Sequence, residues 1–255
     1  MTVLRVGLLQ HDIVWEDREA TLEHLAPMVA SAAAKGAGLV LATELFAVGF
    51  SMATDAIAEP EGGPTSRWLS EQAARHGVWI GGSIPEVAPS ADRPANCFVL
   101  AAPDGTQHRY AKVHGFTYGG EHEHFAPGSG ELTVDVEGVR VTPFVCYDLR
   151  FADRWWQRAK GTDLYVCVAS WPQQRRAHWQ TLLRARAIEN LAYVAGANRV
   201  GAGGGIDYAG DSCVMTPFGD VVADGERAGE AVLVADVDTD VVAATRARYP
   251  FLDDR

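Results

Sequence analysis

The sequence predicts an α/β fold, and three observations carry that prediction. A short apolar run, Val3–Gln10, is followed by an amphipathic stretch at 16–35 and a second apolar run at 39–43. Strand, helix and strand in that succession mark a crossover unit, which packs its helix outside a sheet. Further apolar runs alternate with helical stretches along all 255 residues, with no linker, repeat or low-complexity tract between them. A single domain covering 1–255 is therefore expected. The hydrophobic fraction of 47% suits a packed globule, and a chain of this length can bury most of its apolar surface.

Taken in order, Leu22, Leu25, Val29 and Ala32 or Ala33 recur at helical spacing within 16–35, and Pro27 interrupts the stripe as a candidate kink. Gly36 and Gly38 end that helix. The next strand, LVLAT at 39–43, stops at Glu44, and LFAVGF follows. A carboxylate with apolar sequence on both sides is costly to bury unless it is paired or employed. Glu44 thus reads equally as a solvated strand end and as a functional group. Residues 66–76 are predicted as a helix, and 78–83 and 96–102 as strands. PDGT at 103–106 is a hairpin turn, and the returning strand, Gln107–Ala111, ends at Lys112. Alone, Lys112 would pass for a surface lysine.

Residues 115–130 read as a loop too long to be a mere connector. The loop carries Glu121, His122 and His124, with His114 just ahead of it. His122 and His124 flank Glu123 without the helical spacing of a zinc motif, so a wall of a pocket mouth is favoured over a metal site. Residues 141–146, VTPFVC, then form a buried strand that delivers Cys146 to its end, before a polar turn at Asp148 and Arg150. A lone cysteine is commonly a small core hydrophobe. At the start of a turn and helix, however, converging N–H groups favour the thiolate.

A helix is expected at 152–160, a strand at 163–169, and a strong helix at 175–191 with Trp179, Leu182, Leu183, Ala187 and Leu191 on one stripe. A strand at 192–198 precedes GAGGG at 201–205. No helix follows to offer its N-terminus to a phosphate, so GAGGG reads as a loop. Strands are expected at 212–216, 221–223 and 231–235, with a PFGD turn at 217–220. Asp236, Asp238 and Asp240 lack calcium-loop spacing, and Asp238 or Thr239 suits the N-cap of a helix reaching Arg248.

The formal net charge of −11 is spread along the chain, which disfavours nucleic acid and membrane surfaces as partners. No segment approaches the roughly 18 apolar residues of a membrane span, and Arg5 within the first apolar run fits a strand rather than a signal peptide. Cys97, Cys146, Cys167 and Cys213 are widely spaced with no CxxC pair. That argues against a disulfide framework or zinc site, and for a reducing, cytoplasmic setting.

Glu44, Lys112 and Cys146 each stand where an apolar strand stops, and the ligand crevice of layered α/β folds lies at strand ends. Their chemistry is complementary. The carboxylate can take the thiol proton and hand it to a leaving amine. The ammonium, with the backbone N–H of Tyr147, can stabilise an oxyanion.

ATELF around Glu44, YAKVH around Lys112 and VCYDLRF around Cys146 resemble the Glu-Lys-Cys triad of the carbon–nitrogen hydrolase, or nitrilase, superfamily. The resemblance extends through VGLLQHDIVWED, GFSM, EHEHFAPG, HWQTLLRARAIENLAYVAGANRVG, GDSCVMTPFGD and RARYPFL. It is greatest to the omega-amidase branch, which hydrolyses the terminal amide of 2-oxoglutaramate and 2-oxosuccinamate. The resemblance implies a four-layer αββα sandwich, a thioester mechanism on a small-molecule amide with water, no cofactor, and a homodimer or higher oligomer. It places a second glutamate, which positions the lysine and substrate, at Glu121 of ExxxFxPG, with Glu123 as the alternative. The chain departs from near relatives after His114, where GFTYGG replaces an apolar or basic run at the pocket mouth.

A dicarboxylic monoamide held by its free carboxylate calls for a fixed cation. Arg175 and Arg176, with Trp171 beside them, are the candidates, since a helix start otherwise disfavours positive charge. Three other readings stay open. One is a related hydrolase of deaminated glutathione, N-carbamoyl amines or a nitrile. Another is a Cys-His hydrolase or transferase pairing Cys146 with His114 or His178. The last is a binding protein with an inert cysteine.

Overall fold

The computed structural model describes residues 2–226 and 229–255. The first half comprises β1 (Val3–Gln10), α1 (Arg18–Ala34), β2 (Leu39–Leu41), α2 (Thr54–Ile57), β3 (Glu59–Pro60), α3 (Pro64–His76), β4 (Trp79–Val87), β5 (Ala95–Ala101) and β6 (Gln107–Ala111). Then come α4 (Glu121–His124), β7 (Val134–Val136), β8 (Val139–Val145), α5 (Ala152–Gln157), β9 (Leu164–Ala169), α6 (Arg176–Asn190) and β10 (Tyr193–Asn198). The chain closes with β11 (Val200–Gly203), β12 (Ile206–Ala209), β13 (Cys213–Met215), β14 (Val221–Asp224), β15 (Ala231–Asp238) and α7 (Thr239–Arg248).

Two large sheets result. One has the order β15-β1-β2-β4-β5-β6 with β3 beside β4, and the other β14-β13-β10-β9-β8-β7. The period-2 alternation of the strands sorts side chains into layers. Leu4, Val6, Leu39, Leu41, Phe98 and Leu100 of the first sheet join Val139, Val141, Leu164 and Val166 of the second in one core. Their neighbours Leu9, Val40 and Val99 face the other way, onto Leu25 and Val29 of α1 and Leu69 and Ala73 of α3. On the second sheet, α6 lies over β10 and β13, and Trp179, Leu183 and Ala187 belong to its core. Helix, sheet, sheet and helix make the four layers of an αββα sandwich. Each fully buried aliphatic side chain contributes about 1.5–3 kcal/mol to holding them together.

Asp17 caps α1 by accepting from the Ala20 N–H at 3.0 Å, and the helix runs unbroken through Pro27. Asp238 caps α7, accepting from the Asp240 N–H at 2.8 Å. Several boundaries differ from the expected ones. The stretch at 115–130 is not all loop, since a 3-10 turn, Thr117–Gly119, and α4 lie within it. The helix expected at 152–160 stops at Gln157 and continues as a 3-10 turn, Ala159–Gly161.

GAGGG is the tip of a hairpin. Gly203 pairs with Ile206, and Gly204 and Gly205 take φ of 57° and 77°. Two successive positive φ values fit a two-residue type I′ turn, which glycine enters without steric cost. Among the described residues no helix is long and apolar enough to cross a membrane.

Candidate active site

The site forms where strands of both sheets end. β1, β2 and β4 run parallel in one sheet, as do β8, β9 and β10 in the other. β5 is antiparallel to β4, and β6 to β5, so β6 ends on the same edge as β2. The hairpin after β5 closes with the Ala102 N–H donating to Thr106 O at 2.8 Å. Its register pairs Cys97 with Ala111, which leaves Asn96 opposite Lys112, whose N–H donates to Asn96 O at 2.9 Å. Gly128 is needed for the same edge: a β-carbon there would come within 2.1 Å of Ala111 O. That close approach lets the Gly128 N–H bond Lys112 O at 2.8 Å.

Glu44, Lys112 and Glu121 are all buried, and the ammonium sits between the two carboxylates. Lys112 Nζ donates to Glu44 Oε1 at 2.8 Å and to Glu121 Oε1 and Oε2 at 3.0 and 2.8 Å. Burial alone would lower the lysine, but Glu121 and Glu44 overrule it and hold the ammonium well above its ordinary value. Glu44 Oε2 accepts from the Ser170 N–H at 2.9 Å, directly after β9. Asn96 Nδ2 donates to both carboxylates, at 2.9 Å to Glu44 Oε1 and 3.0 Å to Glu121 Oε1. Sequence reasoning missed Asn96, because a polar residue near the start of a strand carries no signal of what it will face.

Cys146 follows β8 directly and opens a 3-10 turn, Cys146–Arg150. Its φ is 45°, a left-handed conformation that costs a residue with a β-carbon about 1–2 kcal/mol. Neighbouring contacts hold it there. The Val145 N–H bonds Asp148 Oδ2 at 3.3 Å, and buried Arg186 of α6 clamps Leu149 O with Nε and Nη2 at 3.1 and 2.7 Å. The thiolate expected from a helix start is not the resting form. Burial pushes the Cys146 thiol well above its ordinary value, Glu44 pushes the same way, and Lys112 opposes them. The thiol therefore keeps its proton until a base removes it.

Cys146 and Glu44 line a cavity of about 310 Å³, at the small end of the range for ligand pockets. Its walls include Phe50, Phe116, Tyr147, Trp171 and Tyr208, with Arg150 and Arg175 among them. Lys112 and Glu121 stand behind Glu44 and line a separate recess with Asn96.

The model of the carbon-nitrogen hydrolase family matches residues 5–247. The chain belongs to the carbon-nitrogen hydrolase family. It is 40% identical to omega-amidase YafV of Yersinia enterocolitica, covering 100% of this chain and 97% of the relative. It is 30% identical to 2-oxoglutaramate amidase of Bacillus subtilis, over 98% and 96% of the two chains. A CN-hydrolase superfamily protein from Xanthomonas campestris, solved with an arsenic adduct in its active site, matches with a TM-score of 0.94 at 38% identity, covering 100% of this chain and 98% of that one. The chain is thus a hydrolase acting on amides, of the omega-amidase branch.

Within this family framework, several expected residues divide. Arg175 reaches the pocket, with its guanidinium 5.3 Å from the Phe116 ring centroid. Arg176 does not line it. Asp211 holds Arg176 bidentately at 2.6 and 2.9 Å, because the helix turns the second arginine toward a buried carboxylate. Trp171 lines the pocket and bonds Arg175 O through Nε1 at 2.8 Å. Arg150, not singled out from sequence, lies 4.9 Å over the Trp171 ring. Glu123 is exposed, its side chain at 69%, so the second glutamate at the lysine is Glu121.

Among the described residues neither His114 nor His178 is hydrogen-bonded to Cys146. His114 Nδ1 bonds Asp148 at 2.9 Å and its ring stacks on Phe151, while His178 Nδ1 meets Arg150 Nη2 at 3.1 Å. Among the described residues no three His, Cys, Asp or Glu side chains gather as a metal site would require.

Proposed function

We propose that the protein hydrolyses the terminal amide of small 2-oxo acid monoamides, such as 2-oxoglutaramate and 2-oxosuccinamate, through a thioester on Cys146. Glu44 takes the Cys146 proton as the sulfur attacks the amide carbon. The tetrahedral oxyanion is met by the Tyr147 N–H and the nearby Lys112 charge. As the intermediate collapses, Glu44 returns the proton to nitrogen and ammonia leaves. Water, deprotonated by Glu44, then attacks the thioester, releasing the carboxylic acid and the thiol. All three Lys112 N–H groups already serve carboxylates, so direct donation to the oxyanion requires one of those bonds to open.

The observation that carries the substrate class is a pair of cations in an acidic protein. Arg150 and Arg175 line the pocket, and neither has a carboxylate within ion-pair distance among the described residues. Each rests on an aromatic face instead. Arg150 spends one Nη2 hydrogen on His178, and the remaining N–H groups of the two guanidinium groups are left for a substrate carboxylate. The relatives' activities, omega-amidase and 2-oxoglutaramate amidase, agree with this reading.

A panel of amides with ammonia release as readout tests it. The 2-oxo acid monoamides should be cleaved far better than an uncharged short amide, a deaminated glutathione amide, an N-carbamoyl amine or a nitrile. Equal rates on charged and uncharged amides would defeat the substrate class. The Cys146→Ser variant should fold and lose nearly all turnover, because a hydroxyl is a far weaker nucleophile than a thiol and gives up its proton to a carboxylate much less readily. Substantial activity in that variant would sink the thioester.

A further inference from the structure

An ionised carboxylate offers about four lone-pair positions, and at this site their occupants can be assigned one by one. Glu121 has all four filled: Oε1 by Lys112 and Asn96 at 3.0 Å each, and Oε2 by Lys112 at 2.8 Å and the Phe116 N–H at 2.6 Å. Glu44 has three filled. Its Oε1 takes Lys112 at 2.8 Å and Asn96 at 2.9 Å, and its Oε2 takes the Ser170 N–H at 2.9 Å. Among the described residues, the one acceptor position on the two buried carboxylates that these donors do not fill is thus on Glu44 Oε2, and Glu44 also meets the Cys146 thiol.

Asn96 creates that asymmetry. Its amide nitrogen has two hydrogens and gives one to each carboxylate. The assignment of nitrogen and oxygen is fixed, since an ionised carboxylate cannot donate to an amide oxygen. A second observation points the same way. Asn96 is 2% exposed, yet its Oδ1 has no hydrogen-bond partner among the described residues. Leaving a buried acceptor unpaired costs about 1–3 kcal/mol. A side chain kept for packing alone would not carry that cost, whereas one kept for its two donors does.

We propose that Asn96 is a positioning residue for proton transfer: with Lys112 it saturates Glu44 Oε1, so that Oε2 alone exchanges the Cys146 proton and later the proton of water. The inference rests on Glu44 being the base of the proposed mechanism, and is independent of which amide is hydrolysed. No bond to Asn96 forms or breaks. The proton moves from Sγ to Oε2, then to the departing nitrogen, and the second proton moves from water to Oε2 and back to Sγ.

The test uses Asn96→Leu, which keeps asparagine's branched outline and heavy-atom count, and Asn96→Asp, which keeps its volume, assayed on any amide that the wild-type enzyme cleaves. Loss of two donors favours the protonated carboxyl, so the acid limb of kcat/KM should move up by about one to two pH units in Asn96→Leu. At neutral pH kcat should fall at least tenfold, with KM within threefold. Asn96→Asp replaces the donors by a third negative group and should move the limb further than Asn96→Leu. If Asn96 merely fills space, Asn96→Asp is the milder change and neither limb moves, which overturns the proposal. If one variant fails to fold, the limb of the other decides; failure of both to fold would assign Asn96 to structure and overturn it too. Glu44→Gln separates the two readings. If it retains the wild-type acid limb and turnover, the base assignment fails. If it is inactive while the Asn96 variants keep the wild-type limb, only the role of Asn96 fails.

Discussion

The Tyr110 hydroxyl donates to Asp148 Oδ2 at 2.9 Å, and that bond ties the strand ending at Lys112 to the turn opening at Cys146. Burial first, and the Asp148 charge second, push the Tyr110 phenol far above its ordinary value, so it stays a donor throughout the working pH range. The other oxygen of Asp148 accepts from the His114 N–H and from its ring Nδ1, both at 2.9 Å. One fully buried carboxylate thereby holds the lysine strand and the Cys146 turn at a fixed separation.

Asp148→Asn should expose that coupling. An amide group in place of Oδ2 turns a donor toward the Val145 N–H, where a donor already stands. The variant should lose about 1.5–3 kcal/mol of stability and at least tenfold in kcat, read by urea unfolding and by ammonia release. A folded variant with wild-type kcat would show that the two strand ends need no such tie.

Lys112→Met should lower kcat about 10²–10³-fold, the range for loss of one oxyanion-stabilising group. Without the cation, Glu44 and Glu121 are like charges sharing a buried site, and one of them must take up a proton. Steady-state kinetics at neutral pH check this. A rise in KM alone would make Lys112 a binding residue instead.

The three arginines should behave differently. Arg150→Met and Arg175→Met should each reduce kcat/KM for a 2-oxo acid monoamide by the loss of a charged hydrogen bond, about 1.5–3 kcal/mol, and leave an uncharged amide nearly unaffected. Arg176→Met should act on the melting temperature, because it strands the buried Asp211. Equal effects of Arg175→Met and Arg176→Met on the charged substrate would contradict this division.

His11 should make the protein sensitive to acid. Its Nδ1 lies 2.7 Å from Asp12 O, a carbonyl that can only accept, so Nδ1 carries the proton and Nε2 accepts from Thr43 Oγ1 at 3.0 Å. Burial pushes His11 down from 6.5 to about 4. Between those values the unfolded chain binds the proton that the folded one refuses. His11 therefore supports the fold fully above pH 6.5, and its contribution fades as pH falls toward about 4, by about 3 kcal/mol in all. Urea unfolding across that range should show the slope, and His11→Asn should flatten it from a lower starting stability.

Much of this was legible in the chain itself, for identifiable reasons. The short apolar run Val3–Gln10 placed a strand, and PDGT at 103–106 placed the turn that sets the Asn96–Lys112 register. Glu44, Lys112 and Cys146 stood out because each breaks an apolar run at a strand end. What stayed hidden depends on angles around a helix or on backbone donors, which leave no trace in residue type. Arg175 and Arg176 are adjacent and chemically alike, and only the phase set by the 3-10 turn Gln173–Arg175 sends one to the pocket and the other to Asp211. The Ser170 N–H could have been any residue's. The state of the Cys146 thiol was misjudged because burial outweighs the turn's N–H groups.

With Cys146 as the proposed nucleophile, position 146 should pit heat resistance against turnover. A β-carbon at φ 45° costs about 1–2 kcal/mol, while glycine would lose only about 0.5–1 kcal/mol through its greater freedom when unfolded. A saturation library at this codon, selected solely for survival of heating, should therefore drift to glycine. The same library selected for growth on an amide as nitrogen source should return cysteine alone. Any thermostabilisation campaign on this enzyme has to lock that codon first.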